Sequence, residues 1–232
     1  MQGLLLVDKP ADWTSFDVVN YVRRIVANAE GKKPKNVKVG HTGTLDPFAT
    51  GLLILLIGKE YTRKAQELTK LDKTYEVTVR LGQKSTTGDP EGEIAAVSDS
   101  TPSLEVVQQA IEQFKGEIEQ VPPAYSAIKI DGQRAYKLAR EGKEVVIASR
   151  KVTINSLEIV DYAYPELKLV ADVSSGTYIR TLAENIGEVL GTGAYTTALR
   201  RTKIKSFQIN DAQEVEKLDS MLIEQKIKNS ID

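Results

Sequence analysis

The sequence predicts an α+β fold with a mixed, mainly antiparallel sheet flanked by helices. Segments with strand-like alternation and segments with helical periodicity are interleaved along the whole chain, but not in the strict strand-helix-strand order of a parallel doubly wound sheet. With 232 residues, 41% of them hydrophobic and 27% charged, the chain is also long enough to bury a proper core.

Taken in order, Gly3 to Val7 reads as a short buried strand. Thr14 or Ser15 then caps a helix whose Phe16, Val19, Val22 and Val26 are expected on one inward face. Val37 to Val39 and Leu52 to Ile57 are expected as strands, and Tyr61, Ala65 and Leu68 form the apolar stripe of one helix. Tyr75, Val77, Val79 and Leu81 alternate with polar residues, the pattern of a half-exposed strand. Gly88 to Gly92 is a turn. Pro102 and Ser103 start a helix that turns Leu104, Val107, Ala110, Ile111 and Phe114 inward and ends at Gly116. Lys129 to Gln133 suggests a hairpin turn leading into a basic helix, Arg134 to Glu141. Val152 to Val160 and Leu167 to Val173 are two further strands. A helix follows from about Tyr178 to Leu190, closed by Gly191 and Gly193, then a last strand from Ala198 to Ile209 and a weak terminal helix from Val215 to Ile227.

Composition limits the chemistry. There is no cysteine and one histidine, so disulfides, thiol nucleophiles, cysteine-ligated zinc and a His-rich metal site are excluded. Carboxylates, hydroxyls, phenols and cations must do the work, with no cofactor or metal expected. Leu4 to Val7 runs straight into Asp8 and Lys9, too short for a secretory signal, and no stretch approaches bilayer-spanning length. A cytoplasmic protein is expected.

The net charge of −1 conceals segregated charge. Residues 23–38 carry six Lys/Arg against one acid, residues 122–151 seven against three, and residues 180–205 five against two. Residues 89–119 hold eight acids against one Lys and cancel most of that excess. Any one basic segment is an ordinary solvated surface; three of them together suit an RNA footprint.

The stretch Gly40 to Gly51 carries the strongest local signal. Pro47 pushes Asp46 away from helical dihedrals, and Gly40, Gly43 and Gly51 allow turns and close approach, so the Asp46 carboxylate is expected on a tightly shaped loop next to the apolar run Leu52 to Ile57. The lone His41 lies just before it.

Read together with Lys73-Thr74-Tyr75, Pro122 to Ala127, Gly176 to Thr181 and Ala198 to Arg201, this loop closely resembles the bacterial tRNA pseudouridine-55 synthase family, TruB. Five motifs occur in family order with family-like spacing, and the resemblance covers roughly residues 3 to 210. It implies the pseudouridine synthase fold with an RNA-clamping insertion at about 122–151. It also implies an isomerase that flips uridine 55 of the tRNA T loop and converts it to pseudouridine.

By the same resemblance Asp46 is the nucleophile, and Arg180 is the cation that keeps that carboxylate oriented and ionised. Tyr75 stacks on the target base and is a candidate relay for the C5 proton. Tyr178 and Leu199 line the uracil pocket. His41 sits beside the flipped nucleotide as a substrate-binding residue. Tyr125, Lys129, Arg134 and Arg140 are the expected RNA contacts of the insertion. Whether Asp46 attacks C6 or C1′, or a glycal-like species forms, stays open. Asp89 in Asp-Pro-Glu-Gly fits either the site or an Asx-type turn.

Residues 1–210 are expected as the catalytic domain. Residues 211–232 are expected as a tail or short helix, too short for the PUA domain with which family members usually continue. The T arm of tRNA is the expected partner, and a monomer is expected. A tRNA-binding folding helper with little catalysis is the second reading. A hydrolase using Asp46 with His41 is a third, and it lacks a plausible triad or metal set.

Overall fold

The computed structural model describes residues 1–228 apart from Ala127, Asp131 and Glu144. Those three positions of the expected insertion and hairpin, and the last four residues of the expected tail, lie outside the described residues.

In chain order the elements are β1 (Gly3–Lys9), α1 (Ser15–Ala29), β2 (Val39–Thr42), β3 (Thr50–Ile57), α2 (Lys59–Arg63), α3 (Ala65–Thr69) and β4 (Lys73–Leu81). Next come β5 (Gln83–Ser85), β6 (Ile94–Ala96), α4 (Leu104–Glu112), β7 (Gly116–Gln120), β8 (Lys129–Ile130), β9 (Gln133–Arg134) and α5 (Ala135–Arg140). The chain continues with β10 (Arg150–Ala163), β11 (Glu166–Val173), α6 (Ile179–Val189), β12 (Ala194–Ile204), β13 (Phe207–Gln208), β14 (Gln213–Glu214) and α7 (Ser220–Lys226). Two compact units emerge, Met1–Tyr75 with Arg200–Asp232, and Glu76–Leu199, and β4 and β12 contribute residues to both.

In the first unit the strand order is β14-β1-β3-β12. β1 and β3 run antiparallel from Gly3↔Ile57 to Lys9↔Gly51, which occupies one edge of β3. The other edge takes β12 in parallel at Thr50 and Gly51 and β2 antiparallel from Ile54 to Ile57. Both faces of β1 and β3 are buried, which explains why β3 is an unbroken apolar run. Leu5, Val7, Leu53, Leu55 and Ile57 pack with Val18, Val19, Val22 and Val26 of α1 on one side. Leu4, Leu6, Leu52, Ile54 and Leu56 pack with Leu68, Ile204 and Phe207 on the other. Each such Leu or Ile contributes about 1.5–3 kcal/mol by burial.

Helix α1 starts where expected. Thr14 Oγ1 accepts from Asp17 N at 3.0 Å and Asp17 Oδ2 accepts from Thr14 N at 2.9 Å, a reciprocal capping box. Phe16 corrects the expected stripe: it is 58% exposed, with Val18 taking the inward position instead. The single helix expected around Tyr61 to Leu68 is two short ones, α2 and α3.

The second unit holds the order β12-β4-β11-β10-β7. β10 and β11 form a long antiparallel hairpin with register shifts at Ile154/Ser156 and Ile159/Asp161, and β7 pairs with β10 from Ile154↔Gly116 to Arg150↔Gln120. Helix α6 buries Ile179, Leu182, Ala183 and Ile186. Helix α4 buries Val107, Ala110 and Ile111 but leaves Leu104 42% exposed, against expectation. Gly116, expected to close α4, is instead the first residue of β7 at φ +91°. The expected last strand is two, β12 and β13, and the terminal helix is confined to Ser220–Lys226.

Candidate active site

In the first unit, residues 43–49 connect β2 to β3, so Asp46 sits at the tip of an irregular hairpin whose strands are fixed by the core. Asp46 is half-buried. Three anchors shape its loop. Ser15, at the start of α1, donates through Oγ to Leu45 O (3.1 Å) and accepts from Leu45 N (2.9 Å). Asp12 N donates to Pro47 O at 3.0 Å, and Ala49 N to Asp46 O at 3.2 Å. The third anchor is Arg201, fully buried, whose guanidinium donates to Leu52 O at 2.7 Å and to Gly43 O at 3.0 Å, gripping both sides of the loop.

A second buried cation lies below. Lys9 is fully buried, and its ammonium donates to Pro10 O (2.8 Å), Trp13 O (2.6 Å) and Pro47 O (3.1 Å). Burial pulls its pKa down to about 8, and the strongest influence opposing that fall is the negative charge of Asp46. Lys73 donates to Thr69 O and Leu71 O, and burial with the Arg201 charge holds it too at about 8. Asp46 therefore sits beside buried positive charge, with Lys9 coupled to it directly.

His41 lies in β2, paired with Leu55. Burial first, then Arg201, holds its pKa below the ordinary histidine range, so the ring is neutral at pH 7, and Nδ1 is buried without a hydrogen-bond partner among the described residues. Tyr75 is 7% exposed on β4, on the inward side of its alternation.

In the second unit, Arg180 near the start of α6 is 3% exposed and forms an ion pair with Asp89, Nη1 to Oδ2 3.0 Å, also donating to Thr87 O and Tyr125 O at 2.8 Å each. Asp89 makes the Asx turn expected as one of its two readings, Oδ1 accepting from Glu91 N at 3.0 Å, while Oδ2 accepts from Arg180. Burial raises the pKa of Glu184, against the pull of Arg180, and a Cβ on Gly88 would lie 2.7 Å from its Oε1. Tyr178 is half-buried and fixed by Gln120, which accepts from Tyr178 N at 2.7 Å and donates to Tyr178 O at 3.0 Å. The Arg150 guanidinium lies over the Tyr178 ring, 5.0 Å from its centroid, and bonds Gly176 O. Leu199 is buried at 8% exposure on β12.

Tyr125 is thus tied to Arg180 through its carbonyl. Lys129 and Arg134 are register partners across the β8–β9 hairpin, and both are exposed. Arg140 lies over the Tyr136 ring at 5.7 Å. Among the described residues no three or more His, Asp or Glu side chains gather to hold a metal ion, and no helix is long and apolar enough to cross a membrane.

Sequence reasoning gives no role to Lys9, Arg201, Ser15 in the loop, or Gln120. A signal exists for two of them. Lys9 continues the inward series Leu5, Val7, Lys9, and Arg201 follows Leu199 at the same two-residue spacing, so each charge falls on a buried face.

Residues 30–179 match the TruB family pseudouridylate synthase N-terminal domain, and residues 180–231 match the tRNA pseudouridylate synthase B C-terminal domain. This chain belongs to the TruB family. The boundary between the two TruB matches falls inside α6. A TruB relative from Mycobacterium sp. (strain KMS), a tRNA pseudouridine synthase B, is 43% identical over 99% of this chain and 75% of its own length. The protein of the same name from Pseudomonas aeruginosa (strain UCBPP-PA14) is 45% identical over 94% and 69%. Among solved structures, a Cbf5-Nop10-Gar1 complex has a chain 26% identical with a TM-score of 0.72, over 97% of this chain and 55% of that one. An H/ACA RNP bound to a substrate RNA containing 2′-deoxyuridine shares the fold, with 24% identity and a TM-score of 0.68 over 97% and 56%. The expected pseudouridine synthase fold is thereby established for this chain.

Proposed function

We propose that this TruB family chain is a tRNA pseudouridine synthase that isomerises uridine 55 of the T loop, taking the flipped base to pseudouridine with Asp46 as nucleophile. The single observation that carries the reading is the construction of the Asp46 loop. A half-buried carboxylate sits on a loop whose backbone is held by Arg201 at Gly43 and by Ser15 at Leu45, and it faces the charge of a buried lysine. A reaction that breaks N1–C1′, joins C5 to C1′ and exchanges the C5 hydrogen for one on N1 needs no redox group and no energy input, so such a carboxylate is enough to begin it.

The other residues keep the roles that the family resemblance gives them. Arg180 is the cation of the catalytic group, Tyr75 the stacking residue, Tyr178 and Leu199 the lining of the uracil pocket, and His41 the contact to the flipped nucleotide. Tyr125, Lys129, Arg134 and Arg140 hold the RNA stem-loop. Residues 1–210 are proposed as the catalytic domain and residues 211–232 as a tail. The reaction is proposed to occur in the cytoplasm, by a monomer, on the T arm of tRNA.

The test is tritium release from unmodified tRNA labelled at uridine C5, with this protein and with Asp46→Asn. Release approaching one tritium per tRNA, abolished by Asp46→Asn while tRNA binding persists, is the expected result. Tight tRNA binding with no release by the unaltered protein would overturn the catalytic reading.

A further inference from the structure

Away from the Asp46 loop, the first unit carries a cleft of about 360 Å³ lined by Arg23, Pro34, Lys35, Val37, Lys38 and Val39. Its floor is apolar, since Val37 and Val39 are each 7% exposed, and its rim is cationic. Lys35 and Lys38 are exposed and make no ion pair among the described residues. Glu30, the one acid of residues 23–38, is already engaged by the N-terminal ammonium and by Lys32.

The rim is pre-shaped. Arg23 donates to Asn20 Oδ1 at 2.6 Å and to Val39 O at 3.2 Å, and its guanidinium lies 5.8 Å from the centroid of the exposed Phe16 ring. The turn bearing Lys35 is closed by Asn36 N to Lys33 O (2.9 Å) and Val37 N to Pro34 O (3.1 Å), and Gly58 N donates to Lys38 O at 2.8 Å. Only the flexible lysine stems remain to be ordered by a ligand.

The cleft is continuous with the candidate catalytic loop through one strand. Val39 forms its wall and opens β2, which ends at Thr42 where that loop begins. Three steps of a strand cover about 10 Å, a distance that a few nucleotides of one RNA strand can span.

The geometry points to a second RNA site: the cleft rimmed by Arg23, Lys35 and Lys38 binds the phosphate backbone of the T arm a few nucleotides from the target uridine. This deepens the proposed function and rests on it for the identity of the RNA. Apolar floor and cationic rim match a sugar-phosphate chain, and Phe16 with Arg23 adds a stacking edge at the entrance.

The test uses the full chain carrying Asp46→Asn, so that binding is read apart from turnover. Affinity for unmodified tRNA and for an isolated T-arm hairpin is measured across salt concentrations, with Lys35→Gln/Lys38→Gln added and with Lys115→Gln as a control on the acidic segment. The expected result is a plot of log affinity against log salt that is shallower by about 2 for the double variant, near one for each phosphate that no longer meets a lysine. The change should be equal on tRNA and hairpin and absent for Lys115→Gln. An unchanged slope, or a change seen only with whole tRNA, overturns the proposal. Failure of tritium release by the unaltered protein, with the slope still altered, would sink the catalytic reading and leave this RNA site standing.

Discussion

Gly51 and Arg201 meet backbone to backbone: a Cβ on Gly51 would lie 2.3 Å from the Arg201 carbonyl oxygen and 2.7 Å from its nitrogen. The contact belongs to the parallel β3–β12 pairing, and Gly51 holds φ +104°, a conformation that side chains rarely adopt. Only glycine lets the strand carrying Arg201 come close enough for its guanidinium to reach Gly43 O. Gly51→Ala should therefore destabilise the protein by more than about 3 kcal/mol, combining backbone strain with displacement of β12. Thermal unfolding measures it, and a decrease under about 1 kcal/mol would show that the strands can part without consequence.

The Arg180–Asp89 pair is buried on both sides, so neutralising Asp89 removes a charge contact that water does not screen. Asp89→Asn should cost about 3–5 kcal/mol in urea denaturation, more than neutralising the exposed pair Lys151–Glu117, which water screens.

Lys9 and Lys73 should titrate near pH 8 in a ¹³C experiment on lysine side chains, well apart from the exposed lysines. Between about pH 8 and the unfolded value of 10.5 the folded protein binds fewer protons at these sites than the unfolded chain, so stability rises with pH across that window. Below pH 8 both states are charged and the burial penalty is felt in full. Lysine signals that all titrate above pH 10 would contradict the buried-cation field around Asp46.

The single histidine offers a clean probe. Its ring resonance should titrate with a midpoint below the ordinary 6.5. Because the folded ring takes up its proton later than the unfolded one, stability falls as pH drops below 6.5. A midpoint at or above 6.5 would show that burial does not govern His41.

Ser15→Ala removes both hydrogen bonds to Leu45 and leaves a buried amide unsatisfied. A destabilisation of about 1–3 kcal/mol is expected, with faster hydrogen exchange at the Leu45 amide than at the neighbouring β3 amides.

Much of the fold is legible in local pattern. Thr14 as a helix cap and the alternation of β4 follow from residues within a few positions of each other, while the Asp46 loop is signalled locally by its glycines and Pro47 but held by Ser15 and Arg201 from far along the chain. Phe16 is misplaced by pattern because a stripe through positions 16, 19 and 22 and one through 18, 22 and 26 share members; only the sheet on the far side decides between them. β7 is hidden because Gly116 at positive φ reads as a stop, though the same conformation also opens a strand. Lys9 and Arg201 escape notice because charged residues are expected outside, and their acceptors are carbonyls up to 158 residues away. Gln120 and Tyr178 find each other across 58 residues, a pairing no window can contain.

Arg201 also sets a schedule. Its acceptor Leu52 O precedes it by 149 residues, and during synthesis at ~5–20 residues per second that gap corresponds to roughly 7–30 s. Through that interval the nascent Asp46 loop waits without its clamp. Chains that stop short of residue 201 carry Asp46 without the side chain that grips its loop. Delivery of that one side chain converts an open hairpin into a clamped one, so the shape of the Asp46 loop is completed by a strand made long after the loop itself.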